Sequence, residues 1–250
     1  MPRLAARTGI NMAVSYRIRG HAPHLPWFLR RLEARGLTPA SESDLPARLP
    51  SDWTGIALAD CWLDLARDGD QPLAQRQARC QAEGLAFIEL SGDWQTLAAE
   101  HGFMLLAGCA APPAGDAQLL LDALAPQAGC WLHCGPAHSA RFCQRVFAAL
   151  LHAGHAALPL PDGQPRALQW EQMLASQWQL ADRLRQLAQA YLLKHLGQTP
   201  PYPAPLPPAA QHFAANLARS IMLALPDQQN WPALLEQLGA ILAAHPPPQK

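Results

Sequence analysis

The chain is 250 residues long, half of them hydrophobic, with 19 basic residues balanced by 19 acidic ones. Zero net charge excludes general nucleic-acid binding by phosphate neutralisation, which needs a basic surplus. The apolar content excludes wholesale disorder. Only Lys194 and Lys250 are lysines, leaving 17 arginines, so a chemistry that needs a lysine base has little to draw on.

The longest apolar run, Phe103 to Ala111, falls short of the roughly 20 residues that span a bilayer, and the expectation is no membrane contact. Residues 1–7 carry no apolar stretch of secretory type. The six cysteines include no C-x-x-C pair, so they are read as reduced thiols of a cytoplasmic protein. Residues 1–50 hold eight arginines and three acids, residues 51–100 three arginines and nine acids. The two stretches are expected to balance each other on one surface or pack together.

In chain order, Met12 precedes a strand-like run, Ala13 to Ile18, and is read as a native start with residues 1–11 a loose extension. Leu25 to Arg35 predicts a helix, with Pro26 in its first turn and Gly36 ending it. Leu37 to Ala40 and Thr54 to Ala59 are short apolar runs of undecided type. Trp62 to Ala66 predicts a strand, Gln71 to Glu83 a helix stopped by Gly84, and Leu85 to Leu90 a strand. A short helix at Leu97 to Glu100, a strand at Phe103 to Ala107, a helix at Asp116 to Leu124 and a strand at Gly129 to His133 complete the alternation. Such alternation predicts a parallel, doubly wound sheet.

The second half reads as all-helical. Ala137 to Leu151 predicts one helix. Trp170, Leu174, Trp178, Ala181, Leu184, Ala188 and Tyr191, at intervals of three and four, predict a long one ending near Leu196. The proline tract from Pro200 to Pro208 is read as a stiff spacer rather than a docking motif. Phe213 to Ala224 and Leu234 to Ala243 predict two further helices, and the tail 246–250 is expected to fray.

The segment Cys130-Trp131-Leu132-His133-Cys134-Gly135-Pro136-Ala137, running into a helix, resembles the 6-phosphogluconate dehydrogenase family, which carries His-Cys-Gly-Pro-Ala at the same switch from strand to helix. Gly84 to Glu89 is similar to the family's Gly-Ile-x-Phe-x-Asp strand. Glu100 to Gly108 is similar to its Glu-Arg-Gly-Tyr-Cys-Leu-Met-x-Gly-Gly strand, and Ala13 to Leu32 to its first strand, turn and helix. The resemblance covers roughly residues 12–152. It implies a truncated Rossmann-like domain over 12–135 and a helical domain over 136–245. It also implies NADP or NAD as cofactor and oxidation of a sugar acid with loss of carbon dioxide.

The departures from the family are specific. The turn matched to the family's dinucleotide turn reads Ile18-Arg19-Gly20-His21-Ala22-Pro23, retaining only the middle glycine; Gly20 reads first as a turn glycine, and with His21 it is the candidate that the resemblance leaves for a cofactor site. The family's lysine, asparagine and glutamate, on one helix face at i, i+4 and i+7, fall on Gln144, Ala148 and Leu151, none of which moves a proton. Its substrate-gripping Ser-Gly-Gly falls on Asp93-Trp94-Gln95; shifting the match recovers Ser91-Gly92, leaving Ser91, Gly92 and Asp93 as candidates.

A metal reading of His133, Cys134, His138, Cys143, His152 and His155 is weaker, because the tight ligand pairs of zinc sites are missing. The expectation is therefore no metal. The reading that fits best is a catalytically inactive member of this family, retained for ligand or partner binding. The alternatives are an active NAD(P)-dependent oxidoreductase and a helical interaction module. In the latter, the stripe within residues 166–196 pairs with a second copy.

Overall fold

The computed structural model describes residues 14–40, 49–156, 170–205 and 212–225, with the side chains of 153–156 and 170–175 outside that description. The chain divides into two compact units, residues 1–144 and 145–250.

The first unit is built on six strands: β1 (Arg17–Arg19), β2 (Gly55–Ala57), β3 (Cys61–Asp64), β4 (Ala86–Ser91), β5 (Leu105–Gly108) and β6 (Trp131–Gly135). They form one sheet in chain order, β1-β2-β3-β4-β5-β6. β3 and β4 are parallel, as are β5 and β6; the other three pairings are antiparallel. The α/β character is as the sequence predicts, but the sheet is mixed rather than parallel. For the β2–β3 pair, connection length is the reason. Residues 58–60 join β2 to β3, too short for the crossover that parallel strands require. The β3–β4 link carries helix α2 (Asp70–Ala82), and the β5–β6 link carries α4 (Gly115–Leu124), which are long enough.

Strand alternation divides the apolar residues between two cores. On one face Leu63, Leu65, Ile88, Leu90, Leu105 and Ala107 pack against α4 and α1 (Leu25–Ala34). On the other, Trp62 and Phe87 pack against Leu73 and Cys80 of α2. The ends of α1 and α2 follow the glycines: Gly36 and Gly84 take φ of +78° and +70°, the left-handed conformation that ends a helix cheaply only at glycine. Predicted and observed boundaries of α1, α2, α4 and of α3 (Ala98–His101) agree within one or two residues. The first strand is shorter than the run from Ala13 suggests, and Ala13 itself lies outside the described residues.

α5 (Ser139–Ala156) starts in the first unit. In the second, α6 (Trp170–Leu196) packs along α7 (Phe213–Ala224). Small side chains allow the approach: Ala181 and Ala188 of α6, and Ala214, Ala215 and Ala218 of α7, are buried. Tyr191 shares a hydrogen bond of 3.0 Å with the His212 ring, and Arg185 donates to the Leu225 carbonyl. Much of the stripe predicted on the long helix (Ala181, Leu184, Ala188, Tyr191) is thus buried among the described residues. The predicted helix at 234–243 and the tail lie outside the described residues.

Candidate functional site

The residues singled out from sequence fall at three places. Gly20 follows β1, at an edge of the sheet, with φ +94°. A side chain there would come within 2.8 Å of Thr54 Cα and of the Trp53 carbonyl, so this glycine serves the close passage of the segment entering β2. His21 is exposed. Arg19 donates to the Leu49 carbonyl at 2.9 Å. α1 then opens with Pro26 in its first turn, which removes an N–H donor, and no side chain caps it. A pyrophosphate needs a glycine face and free N–H groups at this turn. Here Gly20 faces Thr54, Pro26 has no N–H, and the N–H groups of Leu25 and Trp27 bond the Ala22 and His24 carbonyls, so the turn departs from such a cradle.

Ser91 ends β4, and Gly92 follows it, both buried; Asp93 is exposed and accepts a hydrogen bond from the Gln95 side chain. A Cβ on Gly92 would clash with the Met104 carbonyl and with the Trp94 ring. Trp94 is 5% exposed. It meets Phe28 and Phe103 edge-on at 5.0 and 5.9 Å between centroids, and Phe28 and Phe103 stack on each other. Arg67 lies over its other side, 5.6 Å from the ring centroid. The space where the resemblance implies a sugar-acid grip is therefore part of an aromatic core.

Gln144, Ala148 and Leu151 do share one face of α5, as their spacing requires. That face is open: Gln144 is half-buried, Ala148 exposed, and Leu151 60% exposed. None of the three carries a titratable group.

Of the six histidines and cysteines weighed for metal, the five whose side chains are described do not form a ligand set with one another. The His133 ring bonds the Cys109 carbonyl at 2.8 Å, Cys134 and Cys143 are buried thiols hydrogen-bonded to each other, and His138 faces Asp70. The side chain of His155 lies outside the described residues.

What the structure does gather is a buried ionic network that sequence reading missed. Asp64 of β3 and Glu89 of β4 are fully buried on the sheet face shared with α2 and the start of α5. Arg76 of α2 grips both oxygens of Asp64, with Nε to Oδ1 at 2.7 Å and Nη2 to Oδ2 at 2.9 Å, and also bonds Asp68. Arg141 of α5 donates to the carbonyls of Ala66, Asp68 and Gly69 and to the Asp68 carboxylate, and its Nε lies 3.1 Å from Glu89 Oε1. Both guanidiniums are consumed in holding the 66–69 segment, β3, β4 and the first turn of α5 together.

The charges follow these contacts. Burial drives the Asp64 carboxyl up, while the Arg76 donors pull it back. Bonds from Arg76 hold Asp68 below the usual carboxylate range. Burial opposes the charge on Arg76, but its bonds to Asp68 and Asp64 outweigh that and raise its pKa.

Glu89 differs from the other two carboxylates. Neither of its oxygens has a well-aligned hydrogen bond. It packs against the bare Cα of Gly108, where a side chain would come within 2.5 Å of Oε2. Burial pushes its pKa up to about 7, against the pull of Arg141 and the backbone N–H groups of His138 and Arg141. His138, at the entry to α5, takes φ +73°, a conformation that costs a non-glycine residue about 1 kcal/mol or more.

A sequence signal for this network did exist. Asp64 and Glu89 interrupt the apolar runs Cys61 to Leu65 and Phe87 to Leu90, and a charge inside a buried strand requires a partner. Their partners, 12 and 52 residues away, are not visible from spacing.

No protein-family model matches the chain, and no curated protein matches it. Among the described residues, no helix is long and apolar enough to cross a membrane.

Proposed function

We propose that this chain is a degenerate relative of the 6-phosphogluconate dehydrogenases that no longer catalyses hydride transfer and is retained to bind a ligand or partner. The observation that carries the reading is Trp94. It lies at the carboxyl end of β4, packed on Phe28 and Phe103, with its ring against Gly92. A substrate that must be gripped at Ser91-Gly92 has to displace an indole whose burial is worth several kcal/mol.

Two further features support it independently. The α5 face formed by Gln144, Ala148 and Leu151 offers neither the base for a hydroxyl nor the acid for an enol. Gly20 spends its close approach on Thr54. The network around Arg141 keeps the framework beside the helix start while the reacting groups are gone.

The test is a titration with NADP⁺ and with NAD⁺, followed by tryptophan fluorescence and by the melting temperature. The expected outcome is no saturable change with either up to millimolar concentration. Tight binding of either cofactor restores the oxidoreductase reading, and turnover of 6-phosphogluconate ends the inactive one.

A further inference from the structure

β5 and β6 run parallel, and the helices that follow them leave on opposite faces of the sheet. α4 packs into the core that holds Ile88, Leu90 and Ala107. α5 starts on the other face, its Ala140 N–H beside Gly108 and its Arg141 beside Glu89. Where neighbouring parallel strands send their connections to opposite faces, the chain parts and leaves a crevice outside their carboxyl ends; ligands of open α/β sheets bind there. A cleft of about 350 Å³ occupies this position, between α2 and the first turn of α4. That volume is in the range of small-molecule sites. Because β4 is antiparallel to β5, the cleft meets the amino end of β4, near Ala86 and Phe87. Ser91 and Gly92 are at the other end of that strand. None of the candidate site residues Gly20, His21, Ser91, Gly92, Asp93, Gln144, Ala148 and Leu151 lines the cleft.

The lining sets the ligand's chemistry. Its body is apolar: Phe87, Leu85, Pro113 and a set of alanines. Gln77 and Gln81, one helical turn apart on α2, present two amides from the same side. Among the described residues, Asp60 is the one formally charged lining residue, and no Lys, Arg or His lines the cleft. The approach to α4 contributes little to an anion, since Pro112 and Pro113 have no N–H and Asp116 sits in the first turn. The two lining thiols, Cys61 and Cys109, are held protonated by burial, so they pack rather than react.

We propose that this cleft binds a small organic cation with an apolar body: the amine meets the Asp60 carboxylate, and the body lies between Phe87 and Pro113. The site is independent of the reading above, and the fate of NADP⁺ in the titration does not bear on it.

Three probes of one shape separate the possibilities: phenethylamine, 2-phenylethanol and phenylacetate, each titrated into the isotope-labelled full chain and followed by amide NMR. Phenethylamine is expected to saturate, moving the side-chain amides of Gln77 and Gln81 and the backbone of Ala110 and Ala111. It should bind about fivefold more tightly than the alcohol, a typical worth for an exposed charge pair, with the carboxylate weaker still. Asp60→Asn should bring the amine to the level of the alcohol. Ala114→Trp, at an exposed lining position, should abolish binding of both while leaving the spectrum of β3 to β6 in place. Phenylacetate binding as well as phenethylamine, shifts confined to Ser91–Asp93, or no saturation by any probe would overturn the proposal.

Discussion

A carboxylate at Glu89 is held in an environment that prefers it protonated, and the consequence for stability has a definite sign. Its pKa rises from an ordinary 4.5 to about 7 in the folded chain, burial being the main cause. The folded state therefore binds this proton more tightly than the unfolded state. The favourable contribution is complete below about pH 4.5, shrinks as pH rises and is gone above about pH 7. The whole effect is roughly 3 kcal/mol. Glu89→Gln keeps the shape and removes the charge. Thermal unfolding of this variant from pH 5 to pH 8 should show a flatter profile than the parent and a higher melting temperature at pH 8. If the parent and variant profiles run parallel, Glu89 does not titrate in the folded state over this range.

Among the secondary elements, the start of α5 is anchored through one side chain. Arg141 donates to three carbonyls of the 66–69 segment and faces Asp68 and Glu89, so its loss strips partners from several buried groups at once. Arg141→Met should cost about 3–5 kcal/mol in urea unfolding, in line with breaking a buried pair. Combining it with Glu89→Gln should cost less than the two changes added, because the glutamine no longer needs a cation. Strict additivity would show that Arg141 and Glu89 do not interact.

The same elements show what could be read from sequence. Helix ends at Gly36 and Gly84 were legible because only glycine takes those backbone angles cheaply. The existence of β3, β4, β5 and β6 was legible from short apolar runs. Strand direction was not, because it is decided by connection length and packing, and apolar runs look alike in either direction. The candidate site was legible in part. That Gln144, Ala148 and Leu151 carry no proton-transfer group could be read from residue type alone, as could the bulk of Trp94 close to Gly92. The clamp of Asp64, Asp68, Arg76, Glu89 and Arg141 could not, because it joins residues up to 77 apart, as where Arg141 Nη2 lies 3.7 Å from Asp64 Oδ2. No local period carries that information.

At the scale of the whole molecule, the described residues of the first unit supply two apolar cores and a buried ionic network. The buried residues of the larger core lie between Val14 and Ala125, and those of the smaller core between Leu49 and Phe87. The ionic network ends at Arg141, so it falls within residues 1–144. The six strands follow chain order, so nearly all pairings are between consecutive segments, and loop-closure costs are modest. A fragment of residues 1–156, which keeps α5 whole, should therefore fold by itself. Buried Trp62 and Trp94 report on the two cores separately, so near-ultraviolet circular dichroism should show fixed aromatic packing, and tryptophan fluorescence a single cooperative transition in urea. At this size the expected slope is about 1–3 kcal/mol/M. A fragment that keeps helical content but loses the aromatic signal, and melts without a transition, would mean that the two cores and the Arg141 clamp are insufficient. In that case the missing stabilisation must come from residues beyond 156.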